Sequence, residues 1–276
     1  MMGARLSIVF LALLPLGYAG GGDEPAPKES AEQKERLESM KRQAADYELT
    51  LQTTRPVRLA LHGEPLLRFS NAAGGVTDGI IAMWKEKKRP AVFAQVFQVK
   101  DGYWIHEFQS MASAALSMRL GETTPWHPEE NAQKFTRLPD APRAAEGAVQ
   151  RLVQMKKLAA QFTADDDFRI HPTDPETSRF RLRLLSKPLY RYQDVAEGIN
   201  DGAVFGFVHG TDPELFLILE HRGKGDKAAW YYSLVPMTCW AVTAHLDGKE
   251  IWSVPERSGK TTPKDTYHVW IHRRGK

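Results

Sequence analysis

Residues 75–84 read GVTDGIIAMW, and residues 198–207 read GINDGAVFGF. The shared Gly-x-x-Asp-Gly recurs at a spacing of 123 residues (201 − 78), and the likeness continues outward from it without a gap. Residues 57–98 lie over residues 180–221, pairing Arg58/Arg181, Leu59/Leu182, Leu61/Leu184, Pro65/Pro188, Arg68/Arg191, Gly75/Gly198, Asp78/Asp201, Gly79/Gly202, Pro90/Pro213 and Phe93/Phe216. After a short insertion the match resumes with Trp104/Trp230, Met111/Met237, Leu120/Leu246 and Trp126/Trp252. Upstream, LESMKRQAADY lies over LVQMKKLAAQF. A period this long is a repeated module rather than a solenoid or propeller array.

Each copy carries the same succession of patterns. Leu37, Met40, Ala44 and Tyr47, and then Leu152, Met155, Ala159 and Phe162, fall at helical spacing and stripe one face of an α-helix. VRLAL and FRLRLL alternate as strands do. AVFAQVFQV and ELFLILEHR are apolar at nearly every residue, as strands covered on both faces are. Asp101-Gly102 and Asp247-Gly248 are hairpin dipeptides. The predicted class is α+β: a tandem duplication of a module of one helix packed on an antiparallel sheet of about five strands, in a pseudo-twofold arrangement.

The expected boundaries are a signal peptide over residues 1–19, a linker over 20–30, a first module over 31–138 and a second over 139–276, the two modules forming separate or joint domains. Arg5 precedes the run LSIVFLALLPLGYAG, too short to span a bilayer and ending in small residues, with cleavage expected after Ala19. No cysteine follows that run to take a lipid, and no later stretch of 18 residues is unbrokenly apolar. The expectation is an exported, soluble chain, periplasmic or extracellular, with no membrane span once the signal is removed.

At 42% hydrophobic and 26% charged residues the composition is that of a globular protein. The 37 basic and 34 acidic residues are dispersed, so nothing points to nucleic acid. The one cysteine, Cys239, excludes an intrachain disulfide.

A repeat is its own control. Residues matched in both copies answer to the fold, and unmatched, chemically capable ones are where a single site would lie. Cys239 aligns with Ser113, and a thiol nucleophile activated by His245 or His221 is one catalytic candidate, against the reading of a small buried hydrophobe. Asp78 and Asp201 facing one another as a carboxylate pair is another, against two turn residues demanded twice. Trp84, Trp240 and Trp270 have no matched tryptophan and are the aromatic candidates for a binding surface. The histidines show no metal spacing: His268 and His272 lie too far apart along a strand, and His106 and His209 stand alone. TADDDF at 163–168 lacks the alternating ligands of a calcium loop and reads as a helix-end loop. No metal and no cofactor are expected.

RLRLLSKPLYRY, DGAVFGFVHGTDPELFLILE, MTCWAV and HEFQS are similar to phrases shared by a group of uncharacterised exported bacterial proteins. The resemblance implies export and carries no activity or catalytic residue. The sequence therefore favours a non-enzymatic binding or interaction module, with a groove between the two copies for a small-molecule or protein ligand. The alternatives are a thiol-dependent hydrolase or transferase and a structural envelope-associated protein.

Overall fold

The computed structural model describes residues 29–99, 102–129, 134–169 and 178–273. The expected signal peptide, most of the linker and Asp101 lie outside the described residues. The protein is mixed α+β and dominated by sheet, 53% strand against 14% helix.

The first half runs α1 (Ala31–Ala45), β1 (Tyr47–Leu51), β2 (Val57–Arg58), β3 (Ala60–Leu61), β4 (Leu67–Asn71), β5 (Val76–Glu86), β6 (Arg89–Val99), β7 (Tyr103–Ser110), β8 (Leu116–Leu120) and β9 (Thr123–Trp126). A connecting strand β10 (Thr136–Arg137) leads to α2 (Ala148–Ala159), β11 (Phe162–Phe168), β12 (Ser178–Leu184), β13 (Tyr190–Asp194), β14 (Ile199–His209), β15 (Asp212–Arg222), β16 (Ala229–Pro236), β17 (Ala241–Leu246), β18 (Lys249–Val254) and β19 (Tyr267–Arg273). Strands β4, β5 and β6 begin and end 123 residues before β13, β14 and β15 (199 − 76 for the starts of β5 and β14). The antiparallel pairings also correspond, β5–β6 with β14–β15, β6–β7 with β15–β16, and β1–β8 with β11–β17.

Each half is larger than a five-stranded sheet. β12 is long enough to pair with both β11 and β14, giving the order β10-β16-β15-β14-β12-β11-β17-β18 with β13 beside β14. In the first half that strand is broken at Leu59 into β2 and β3, leaving sheets β2-β1-β8-β9 and β19-β7-β6-β5-β3. The edge strands are exchanged: β10, which follows the first half, pairs with β16, and β19, which follows the second, pairs with β7.

The helical stripe stops earlier than its spacing predicts. Tyr47 and Phe162 each open a strand, because α1 is capped at Asp46 and α2 at Ala160, where the chain turns out of the helix within a residue or two. Ser30 and Gln33 form a reciprocal capping box on α1. The N-cap of α2 is Gly147, with no side-chain hydrogen bond.

Alternation along the central strands divides the core into three. Ile80, Ala82 and Trp84 of β5 and Val92, Ala94 and Val96 of β6 pack with Met40 and Ala44 of α1. Ala203, Phe205, Phe207, Leu215, Leu217 and Leu219 pack with Met155, Leu158 and Ala159 of α2. The opposite faces, Ile81, Met83, Phe93, Val204, Phe216 and Ile218 among them, pack against each other. The order of layers is helix, sheet, sheet, helix, which is why β5, β6, β14 and β15 are apolar on both faces. Phe93 and Phe216, which lie over one another in the sequence alignment, meet there with ring centroids 4.7 Å apart.

The opening motif answers to three separate needs. Gly75 and Gly198 take φ of 71° and 74° ahead of β5 and β14. A Cβ at Gly79 would lie 2.5 Å from the Phe69 ring, and one at Gly202 would lie 2.7 Å from the Tyr192 ring, so each glycine seats an aromatic of the neighbouring strand. Asp78 and Asp201 are not turn residues bonded to their own backbone. Asp78 accepts from Arg36 on α1 (3.1 Å) and Arg68 on β4 (2.6 Å), and Asp201 from Arg151 on α2 (2.7 Å) and Arg191 on β13 (2.6 Å). Each clasp ties a helix to its sheet. Burial raises the Asp201 carboxyl, but Arg191 and Arg151 outweigh it and hold it below the usual range. Asp247-Gly248 turns between β17 and β18 with φ of 49° and 79°, the positive pair its dipeptide predicts.

Candidate metal centre in the seam

The two facing sheets enclose a cavity of about 210 Å³, lined by Asn71, Gln95 and Glu107 from the first half and by Asp212, Glu214 and Trp240, among others, from the second. Its acidic wall begins with a bulge. Leu215 pairs with Phe207 and Pro213 with Val208, so Glu214 is the extra residue of β15 and has no partner in the ladder. The first half has the same bulge, between Val92 and Pro90, and there the extra residue is Ala91. The backbone bonds repeat too, Met237 N to Glu214 O at 2.8 Å and Met111 N to Ala91 O at 2.7 Å. The bulge therefore belongs to the architecture, whereas the carboxylate belongs to one half.

His209 ends β14 opposite Asp212, and Asp166 lies on β11. TADDDF is thus a strand and not a helix-end loop: Asp165 and Asp166 are buried and laddered to Arg181 and Phe180 of β12 and to Thr243 and Val242 of β17. One ligand atom each from Asp166, His209 and Glu214 lies within 4.8 Å of the others. His209 Nδ1 stands 3.7 Å from Asp166 Oδ2. Asp166 is only 1% exposed, and neither of its carboxylate oxygens has a hydrogen-bond partner among the described residues; nor has His209 Nδ1. Phe180, Phe168 and Trp240 surround the group, with the Phe180 and Phe168 rings 4.5 and 5.1 Å from the imidazole and Trp240 5.6 Å beyond Phe168.

The electrostatics follow from burial. Burial, against the lowering pull of its own backbone amide and with the adjacent Asp167 and Asp165 charges adding to it, pushes the Asp166 carboxyl up to about 7. Asp212 and Glu214 are raised well above the carboxylate range by burial and by the neighbouring carboxylates, against hydrogen bonds from Asn71 to Asp212 and from Thr238 to Glu214. Glu107 is pushed up to about 7 by burial, although Tyr267 Oη donates to it at 2.7 Å and Arg257 lies nearby. Burial lowers the His209 imidazole, leaving it neutral and able to coordinate at neutral pH.

The residues singled out in the sequence are placed as follows. Cys239 lines the cavity, but burial first, and then Glu107 and Glu214, push its thiol up to about 12; its hydroxyl partner is Ser258. At neutral pH it is a protonated thiol, the reverse of what a nucleophile needs. His245 lies against Asp165, Nδ1 to Oδ2 3.8 Å, and His221 stacks near Trp230, centroids 5.1 Å apart. Asp78 and Asp201 occupy two different arginine clasps. Of the three tryptophans, Trp240 walls the cavity, Trp84 is buried under α1 and Trp270 packs on the first-half core.

The sequence patterns set aside His209 and the stretch holding Asp166 and gave no mark to Asp212 and Glu214, yet the alignment of the two halves carried a signal for all four. Their counterparts are Leu51, Glu86, Arg89 and Ala91, so all four are unmatched and chemically capable. No protein-family model, curated protein or solved structure matches this chain.

Proposed function

We propose that the protein is an exported, non-enzymatic binding module, built by tandem duplication about a pseudo-twofold axis, that takes a small cation into the seam between its halves. Residues 1–19 support export, as does the similarity to the exported bacterial group. The common spacing of 123 residues, the corresponding pairings and the contact of Phe93 with Phe216 support duplication about an axis between the sheets.

One observation carries the binding reading. The cavity's carboxylates at Asp212 and Glu214 stand where the equivalent positions of the first half hold Arg89 and Ala91, so the fold does not require them. Buried carboxylates facing a cavity raise the free energy of the empty state and are relieved by a cation. Arg169 also lines the wall but is engaged by Glu256 at 3.1 Å, and Arg257, outside the lining, donates to Thr238 O at 2.8 Å and lies over the Tyr267 ring.

Thermal unfolding of the mature chain, followed through tryptophan fluorescence, tests the reading with a panel of metal cations, alkylammonium ions and anions. Cations raise the Tm in proportion to ln(1 + [L]/Kd), and Asp212→Asn, which takes away one of the carboxylates, reduces the shift. If no cation in the panel moves the Tm, the reading fails.

A further inference from the structure

We propose that Asp166, His209 and Glu214 together bind one divalent transition-metal ion of the zinc, manganese or iron(II) kind beside the seam cavity, whose wall Glu214 lines. This deepens the cation-binding reading and rests on it.

The geometry is close to what such an ion needs. A metal held at about 2.0–2.2 Å by tetrahedral ligands separates the ligand atoms by roughly 3.3–3.6 Å. His209 Nδ1 and Asp166 Oδ2 are already 3.7 Å apart, and all three ligand atoms lie within 4.8 Å.

Independent of the spacing, Asp166 lacks what a buried carboxylate requires. It is 1% exposed, on a strand held from both sides by β12 and β17, and both oxygens are unpartnered. The clasped Asp201, buried to a similar degree, has two guanidiniums. His209 Nδ1 is unpartnered as well and points at the same carboxylate. A metal ion completes both groups at once, since a buried polar group otherwise carries its full desolvation cost.

The donor set selects the ion. One imidazole nitrogen with two carboxylate oxygens suits zinc, iron or manganese; calcium takes six to eight oxygens, and soft copper(I) prefers thiolates and thioethers. The cavity thiol, Cys239, is bonded to Ser258 and lies outside the triad. The surroundings are those of an ordered site: Thr238 donates to Glu214, Asn71 donates to Asp212 beside it, and the Phe168 and Phe180 rings flank the imidazole. Three protein ligands leave coordination positions open to water or a small anion.

The test uses the mature chain treated with chelator and then titrated with Zn²⁺, Mn²⁺ and Ca²⁺ by calorimetry, with stoichiometry from native mass spectrometry. One Zn²⁺ or Mn²⁺ binds per chain, and Ca²⁺ binds at least tenfold more weakly. Asp166→Asn, His209→Ala and Glu214→Gln each weaken binding at least tenfold, and the surface change Glu197→Gln leaves it unaltered. Because a core variant can misfold, each is checked by circular dichroism, and Co²⁺ is added to the parent, where its visible absorption reports an imidazole-ligated ion of low coordination number. Binding that persists undiminished in all three variants overturns the assignment and leaves the cation reading standing. A chain that is stabilised by an alkylammonium ion but binds no transition metal also overturns it. If neither class of cation binds, both readings fail together.

Discussion

Asp166 and His209 face each other at 3.7 Å, carboxylate oxygen to imidazole nitrogen, and neither atom has a hydrogen-bond partner among the described residues. An arrangement kept for a ligand costs stability when the ligand is absent. Asp166→Asn removes the charge and is expected to stabilise the metal-free protein by about 1–3 kcal/mol at pH 8, while abolishing stabilisation by metal. Urea unfolding with and without metal measures both. A destabilised metal-free variant would show that the carboxylate serves the fold.

Glu107 sets a pH dependence whose sign is fixed. Its carboxyl titrates at about 7 in the folded chain against an ordinary value of 4.5, so between these pH values the folded state holds a proton that the unfolded chain has lost. The contribution is full below about pH 4.5 and is lost as pH rises through 7. The groups facing it are Tyr267 from β19, Arg257 after β18, Cys239 before β17 and the carboxylates of Asp212 and Glu214 on β15. Since Glu107 borders the cavity, water moderates the effect to about 2 kcal/mol. Glu107→Gln flattens the decline in stability between pH 5 and 8, as read by chemical unfolding across that range. A slope no different from the parent's would remove Glu107 from the account.

The two arginine clasps are equivalent, and their loss is expected to cost alike. Asp78→Asn and Asp201→Asn each leave two guanidiniums against a buried amide, a loss of about 2–4 kcal/mol. Both variants keep their cation binding once folded. A change confined to ligand affinity would instead give these aspartates a place in the site.

Gly79→Ala and Gly202→Ala drive a methyl into the ring seated on each glycine and are expected to destabilise by about 1–3 kcal/mol. Pairing Gly202→Ala with Tyr192→Leu recovers part of the loss, and a double-mutant cycle measures that coupling. Strict additivity would mean that the ring is not what the glycine accommodates.

Much of the architecture was readable because similar residue patterns recur along the sequence. The helices, the doubly buried strands and the Asp247-Gly248 hairpin follow from periodicities that recur, and recurrence separates fold from accident. The sheet's extent was not readable, because joining β11 to β14 through β12 depends on strand length and on the interruption at Leu59, which hydropathy does not mark. TADDDF escaped for a different reason. Three adjacent acids read as solvated, yet pairing on both sides buries the strand, and only the fold brings Asp166 to His209 and to a bulge at Glu214. Trp240 was legible as an unmatched aromatic, whereas the acids beside it were unmatched too and went unread.

The exchange of edge strands has a temporal meaning. The first half exposes the edge of β7 until β19, which follows the whole second half in sequence, is made, so its sheet is finished by residues synthesised well after its other strands. Neither half closes alone, and contacts this distant in sequence make assembly slow. The final strand works as a latch: until it docks, the open edge of β7 is a template for a neighbouring molecule, and a copy clipped by a protease before Tyr267 would carry that edge permanently.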